Sequence, residues 1–575
     1  MSDSAQPAHD AAAPDPAIDR RSFLGKAGAV AGLAALAGAT SPTADAAPPV
    51  VRIPGQVTAR GRILQAYHLR VQAAYQNVQT PAAVLTTNGD EAAYANKAGS
   101  YTKGLLHDAQ GYVDPVSWQS FAAACSAGTQ AAFENVMMGT PDPSMRFKLV
   151  NPIAGLDFDL EGLDVSQFFM PPPPALASAE EAAEAVELYW MSLIRDVHVS
   201  DWGTNPTVAA ACAELTSLPA FAGPRQSGSV TPQTLFRDVL PGCTAGPYVS
   251  QFLLHGVPFG ATWIDQKIRT VTADADYMTS FGNWLFTQNG FKTFTTPTFD
   301  ATRRYLRNTR DLARWVQMDV LYQAYFHAAL ILSKPSDPGD ALTGGGIACP
   351  LNVGNPYKTL SVQEGFGTFG PPYVMGILTE VATRALKAVW YHKWFVQRRL
   401  RPEEFGGRVH QNLAMGLSNP LHPSILGSSA VAQVFSKFGT YLLPQAFPEG
   451  SPLHPSYGSG HATVAGACVT VLKALFDCNF PYTSPKVASA DGLTLVPYTG
   501  PDAGSLTVEG ELNKLASNIA TGRNNAGIHW RTDALEGIRL GEAVAISVLR
   551  DQRRTYGETF SGFTFKKFDG STITV

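Results

Sequence analysis

Along most of this chain the apolar residues recur every three to four positions, the spacing of a helix with one buried face. Between Arg60 and Gln79 they are Ile63, Leu64, Tyr67, Val71, Ala74 and Tyr75. Ser178, followed by Glu180 and Glu181, predicts a capped helix running to about Val199, with Tyr189, Leu193 and Ile194 on its apolar face. Further helices are expected at 206–216, 230–239 and 276–288. From Asp300 to Leu332 one broad stripe takes in Tyr305, Leu312, Trp315, Val316, Val320, Leu321 and Ala324 and predicts a continuous helix. After a Gly/Pro-rich loop, in which Asp337 and Asp340 read as a solvated turn, a long helix is predicted from about Tyr373 to Leu400. It stops at Arg401-Pro402 because proline cannot continue it. Residues 403–453 read as a loop-rich connection with one short helix near Ala430–Phe438. An apolar run from Ala462 to Phe476 and a helix over about Val508 to Thr521 follow. The last helix is expected to start at Asp533, with Glu536 completing a capping box. The tail, Phe563 to Val575, carries Asp569-Gly570 and predicts a hairpin. The pattern predicts an all-α chain with a small C-terminal β-hairpin.

Composition narrows the class. Hydrophobic residues make up 45% and charged residues 16% of 575, which suits a globular chain with large buried surfaces. The net charge is −4 and no basic stripe argues for a nucleic-acid partner. No apolar run outside the amino terminus reaches the roughly 18 residues of a membrane span. The first 46 residues read as an export leader. Arg20-Arg21-Ser22-Phe23-Leu24 is a twin-arginine pattern, Ala27–Ala39 a weakly apolar stretch, and Ala44-Asp45-Ala46 a small-x-small cleavage site. A periplasmic or secreted protein is therefore expected. The remainder divides into an N-terminal helical region, 47–309, and a core, 310–575, within one compact unit. Six cysteines contain no Cys-x-x-Cys pair, which argues against zinc, and their pairing cannot be chosen from sequence. Cys468 reads as a small buried apolar residue.

Three stretches carry the candidate chemistry. The first is His454-Pro-Ser-Tyr-Gly-Ser459-Gly460-His461, opening the apolar helix. A helix start offers N–H groups without intrahelical partners and a favourable dipole for an anion, and Ser459 adds a hydroxyl. The second is Lys393 to Pro402, with Arg401 eight residues after Lys393, just over two helical turns. Arg398 and Arg399 beside them are expected on solvent or an acidic partner. The third is Arg523-Asn-Asn-Ala-Gly-Ile-His529-Trp-Arg-Thr-Asp533. Together they supply a lysine, two arginines, backbone donors and three histidines titrating near neutrality, a set that suits a tetrahedral oxyanion.

In this order, Lys-x7-Arg-Pro, Ser-Gly-His and Arg-x5-His-x3-Asp resemble the vanadium-dependent haloperoxidases. That family shares its anion site with the type 2 phosphatidic-acid phosphatases and bacterial acid phosphatases. The chain looks most like the algal bromoperoxidase branch. It has His454 seven residues before His461, and the flanking text Leu321–Phe326, Gly365–Gly370 and Thr379–Val389 is similar. The likeness is close over roughly 310–550 and looser before. Gly458 departs from the family, which often has proline there, without removing a functional group.

The resemblance implies two four-helix bundles, a vanadate cofactor, and hydrogen peroxide, halide and a small organic acceptor as partners of a homo-oligomer. It implies that His529 bonds to vanadium, with Asp533 orienting its ring. Lys393, Arg401, Arg523, Ser459 and the Gly460 N–H would bind the oxygens. His461 would exchange a proton, Lys393 would polarise bound peroxide, and His454 would tune the network. Trp390 matches a position tied to halide handling and reads equally well as helix packing. The rival reading is an exported acid phosphatase with His529 as nucleophile and His461 as acid.

Overall fold

Two glycines set the distance between the central helices. In the computed structural model, which describes residues 58–333 and 347–575, helix Gly460–Leu475 lies against helix Arg531–Arg553. A Cβ on Gly466 would stand 2.0 Å from Ile538 O, and one on Gly541 would stand 2.0 Å from Thr463 O. Only glycine permits backbones this close. Ser459 N–H donates to Asp533 O at 2.9 Å, while Thr463 meets Gly541 further along, so the two helices advance in parallel. Both therefore present their N-terminal ends on the same side, where the two dipoles add.

Helix Gly460–Leu475 is buried at every position except His461, as its nearly all-apolar sequence requires. Helices Pro371–Tyr391 and Val508–Asn525 pack on the pair and complete a four-helix group. A second group gathers about Ala179–Ile194, with Pro206–Ser217, Pro402–Ala414 and Ser429–Phe438. Residues Thr58–Val575 cluster as a single unit. The strands among the described residues form four two-stranded antiparallel sheets, one of them the expected tail hairpin, Thr564–Lys566 with Thr572–Thr574. The twin-arginine leader and Asp337 and Asp340 lie outside the described residues.

Several expectations are corrected. Asp300–Leu332 is not one helix. Residues Phe299–Arg304 pair with Ile268–Val271, and helices Thr309–Met318 and Gln323–Ser333 are separated at Asp319. The long helix ends at Tyr391, continues as a π-helical turn over His392–Gln397, and breaks at Arg398 in the left-handed region (φ 41°). Pro402 then begins a new helix, Pro402–Ala414, inside the presumed loop, because proline suits a first helical position. Residues 230–239 form turns rather than a helix. The last helix starts at Arg531, so Asp533 is its third residue and accepts from Trp530 N–H (3.2 Å), while Glu536 pairs with Arg539. Helix Ala59–Val78 forms as its spacing predicts, yet Ile63, Leu64, Tyr67, Tyr75 and Val78 face solvent, 49–70% exposed.

Candidate active site

The shared N-terminal side of the parallel pair is where the three sequence stretches converge. Lys393 sits in the π turn with its ammonium buried, donating to Pro455 O (2.8 Å) and Ser456 O (2.7 Å). Arg401, at the start of the following helix and fully buried, spans two histidines. Its Nη2 donates to His454 Nδ1 (2.9 Å), and its Nη1 to His529 Nε2 (3.0 Å) and Ile528 O (2.8 Å). The expected geometry, two turns of one helix, is replaced by a π turn and a left-handed residue that fold Arg401 back towards Lys393.

Asp533 fixes the His529 tautomer. Its Oδ2 lies 2.8 Å from His529 Nδ1, so Nδ1 carries the proton and Nε2 keeps the lone pair that Arg401 meets. The carboxylate is itself held: Ser456 Oγ donates to Oδ2, and Arg399 Nη1 to Oδ1 at 2.8 Å. Arg399 also donates to Glu181, to Glu184 (3.2 Å) and to Thr532 (2.8 Å), and lies 4.7 Å over the Trp530 ring. Of the two arginines given to solvent or an acid, Arg399 is 1% exposed and joins an internal acidic cluster, and Arg398 pairs with Glu91. The acids Glu181, Glu184 and Glu187, one helical turn apart, point inward at Arg399 and Arg531.

Arg523, in the last turn of helix Val508–Asn525, donates to Val316 O (2.8 Å), and its buried Nε has no hydrogen-bond partner. His461 Nε2 lies 3.0 Å from Asp319 Oδ1. The helix break at 319 is what delivers that carboxylate. Ser459 caps its helix by accepting from Ala462 N–H (3.4 Å), which leaves its hydroxyl proton to donate, and Gly460 is the first helical residue. Trp390 packs on the His454 ring (centroids 4.8 Å) and under Gly460, where a Cβ would stand 3.0 Å from the indole. Ser456 and Asp319 are not among the residues the sequence reading names, and Arg399 is there given no place in the site. Arg399 and Ser456 lie inside the motifs, whereas Asp319 has no local signal.

The electrostatics are those of crowded buried cations. Burial, then Arg401, holds Lys393 well below the ordinary ammonium value. Burial pushes Arg523 down to about 10, with Arg401 adding repulsion. The histidines do not titrate near neutrality as expected. Burial first, then Arg401 and Lys393, holds His454 and His529 well below the usual imidazole value, and burial lowers His461 despite Asp319. His454 Nδ1 and His529 Nε2 accept from Arg401, while His461 Nε2–H faces the Asp319 carboxylate. A bound anion offsets the repulsion among these cations. Three cations, an orphaned guanidinium N–H and an imidazole lone pair fit vanadate, a tetrahedral oxyanion.

A family model described as the VCPO second helical-bundle domain matches residues 431–558. The vanadium-dependent bromoperoxidase of Corallina officinalis is 36% identical, covering 90% of this chain and 99% of that one. The vanadium-dependent bromoperoxidase of Ascophyllum nodosum is 35% identical, covering 88% and 91%. The solved homohexameric second vanadate-dependent bromoperoxidase of Ascophyllum nodosum superimposes with a TM-score of 0.82 at 30% identity, covering 94% of this chain and 95% of that one.

Proposed function

The chain belongs to the vanadium-dependent bromoperoxidases, and on that premise we propose that it uses vanadate to oxidise halide with hydrogen peroxide, forming hypohalous acid. The observation that carries the reading is His529 Nε2, deprotonated by design of its Asp533 partner and ringed by Lys393, Arg401 and Arg523. When bound, vanadate supplies a Lewis-acidic centre that activates peroxide towards halide without changing its own oxidation state. His529 Nε2 is the atom that would hold the metal, and Asp533 keeps the ring in that tautomer. Lys393, Arg401 and Arg523 would neutralise the cofactor's anionic oxygens. Ser459 Oγ–H and the Gly460 N–H donate to the same group. His461, steadied by Asp319, would hold or move a proton at the site. His454 accepts from Arg401 and so holds the guanidinium in place.

The test is to add vanadate to metal-free protein and measure peroxide-dependent bromination of a phenol. Bromination that appears with vanadate is expected. Hydrolysis of phosphate esters with no vanadate-dependent bromination would overturn the reading.

Finer points belong to the same proposal. Bromide and iodide are the expected substrates, chloride a poor one, and small organic molecules accept the halogen. Chloride turnover equal to bromide would remove the preference. A homo-oligomer is supported by the hexameric relative and by the solvent-facing stripe of helix Ala59–Val78, which a second copy would cover. Light scattering that gives a monomer mass would reject it. Export through the twin-arginine route is supported by Arg20-Arg21 and Ala44-Asp45-Ala46. Arg20→Lys with Arg21→Lys should then trap the protein in the cytoplasm.

A further inference from the structure

Away from the pocket, two of the six cysteines lie across a short antiparallel pairing. Leu351 and Phe476 form a bridge. It is flanked by Asn352 N–H to Leu475 O (3.0 Å) and Asp477 N–H to Pro350 O (2.8 Å). Those bonds make 352/475 and 350/477 the hydrogen-bonded positions and 351/476 the narrow pair between them. One step beyond Pro350 and Asp477 the pairing ends, with Cys478 in the turn that Phe480 N–H closes on Asp477 O (3.1 Å), and Cys349 and Cys478 are the residues that leave it on the two sides.

A second observation places the same two residues together. The Cys349 thiol donates to Asp477 O (3.5 Å), the carbonyl bonded to the Cys478 nitrogen. Cys478 turns its thiol to Phe476 O (3.6 Å) and Lys473 O (3.8 Å) at the end of helix Gly460–Leu475. These are weak bonds of a poor donor, and rotation about Cα–Cβ exchanges them for a sulfur partner. Among the described cysteines Cys478 is the one not fully buried. Burial raises both thiols, that of Cys349 to about 12, and the nearby Cys349 adds to the rise at Cys478.

We propose that Cys349 and Cys478 form a disulfide that clamps the chain following residue 346 to the C-terminal end of the helix whose other end carries Ser459-Gly460-His461. The oxidant is hydrogen peroxide, and only its supply in life rests on the proposed function. The Cys478 sulfur attacks one peroxide oxygen and the O–O bond breaks. One water leaves and a sulfenic acid remains. The Cys349 sulfur then attacks that sulfur, the S–O bond breaks, and a second water leaves with the thiol protons. Two thiols lose two electrons and one peroxide gains them. An unpartnered Cys478 would instead continue to the sulfinic acid.

The test uses the full chain without vanadate or halide, so that it is independent of haloperoxidase activity. The folded protein is incubated for hours with a few equivalents of hydrogen peroxide, since raised thiol pKa values slow the first step. It is then alkylated in denaturant, digested, and mapped by mass spectrometry with and without reduction. The expected result is one linked peptide pair, Cys349 with Cys478, released by reduction, while Cys125, Cys212, Cys243 and Cys468 are alkylated directly. Full alkylation of both cysteines without reduction, linkage of either to another cysteine, or Cys478 recovered as sulfinic acid would each overturn the proposal. In Cys349→Ser, Cys478 should be over-oxidised several-fold faster than in the parent, and an unchanged rate would also overturn it.

Discussion

Replacing Arg399 by methionine removes the one guanidinium that Asp533, Glu181 and Glu184 share. The site is 1% exposed, so water does not take its place. Stripping one partner from a buried ion pair costs about 3–5 kcal/mol. Here the low end, about 3 kcal/mol at pH 7, is expected, because burial already raises Glu181 to about 8 and Glu184 to about 7 and protons can replace the lost charge. The pocket feels the change through Asp533. Its Oδ1 loses Arg399, while Oδ2 keeps His529, Ser456 and the Trp530 N–H. Losing a group that orients a metal-binding histidine costs roughly 10- to 100-fold in affinity. With Asp533 half released, about 10-fold weaker vanadate binding is expected. Ultraviolet difference titration with vanadate reads the affinity, and urea unfolding reads the stability. Arg399→Lys restores a charge but not the planar fork, so it should recover part of the stability and little of the affinity. A vanadate dissociation constant within twofold of the parent in Arg399→Met, with the unfolding midpoint clearly lowered, would show that the cluster supports the fold and does nothing for His529.

Three further outcomes follow from the same geometry. His529→Ala should abolish vanadate retention, and near-normal affinity by titration would remove the ligand assignment. Gly541→Ala would set a methyl 2.0 Å from Thr463 O. That overlap should push the parallel helices apart, cost about 3 kcal/mol, and weaken vanadate binding by separating Ser459 from Asp533; an unchanged melting temperature would contradict it. The raised carboxyls make stability depend on pH. Between their ordinary value of 4.5 and about 7–8, the folded protein holds protons that the unfolded chain has released. The contribution is therefore complete below 4.5 and is lost as pH rises through 7–8. Urea midpoints should fall between pH 6 and pH 9, and the fall should shrink in Glu181→Gln with Glu184→Gln. An equal fall in both proteins would assign it elsewhere.

What the sequence made legible has a physical pattern. Lys393, Arg401, Ser459, Gly460, Arg523 and His529 each sit in a contiguous stretch whose local chemistry suits an anion, so spacing alone grouped them. Their supports come from far away in the chain. Asp319 reaches His461 from a helix break between Met318 and Gln323 that no glycine or proline marks. Glu181 looked like a helix-start acid and is one, yet its carboxylate is drawn inward by Arg399. Pro402 was read only as a stop, although the residue type that ends one helix also suits the start of the next.

Helix Ala59–Val78 shows the same limit from the other side. Its spacing predicted the helix, and the helix is there. The side it turns inward mixes Leu69, Val71 and Ala73 with Gln65, Gln76 and Asn77, and at its end Asn77 donates to Gly162 O (2.8 Å) and Asp551 Oδ2 (3.0 Å), while Gln167 donates back to Asn77 O (2.8 Å). Those three bonds anchor the C-terminal end of the helix, and Ile63, Tyr67 and Tyr75 stay outward. Periodicity reports that a stripe exists. Which surface covers it is decided by partners tens to hundreds of residues away, and the apolar residues turned outward here call for a surface that the described residues do not themselves supply.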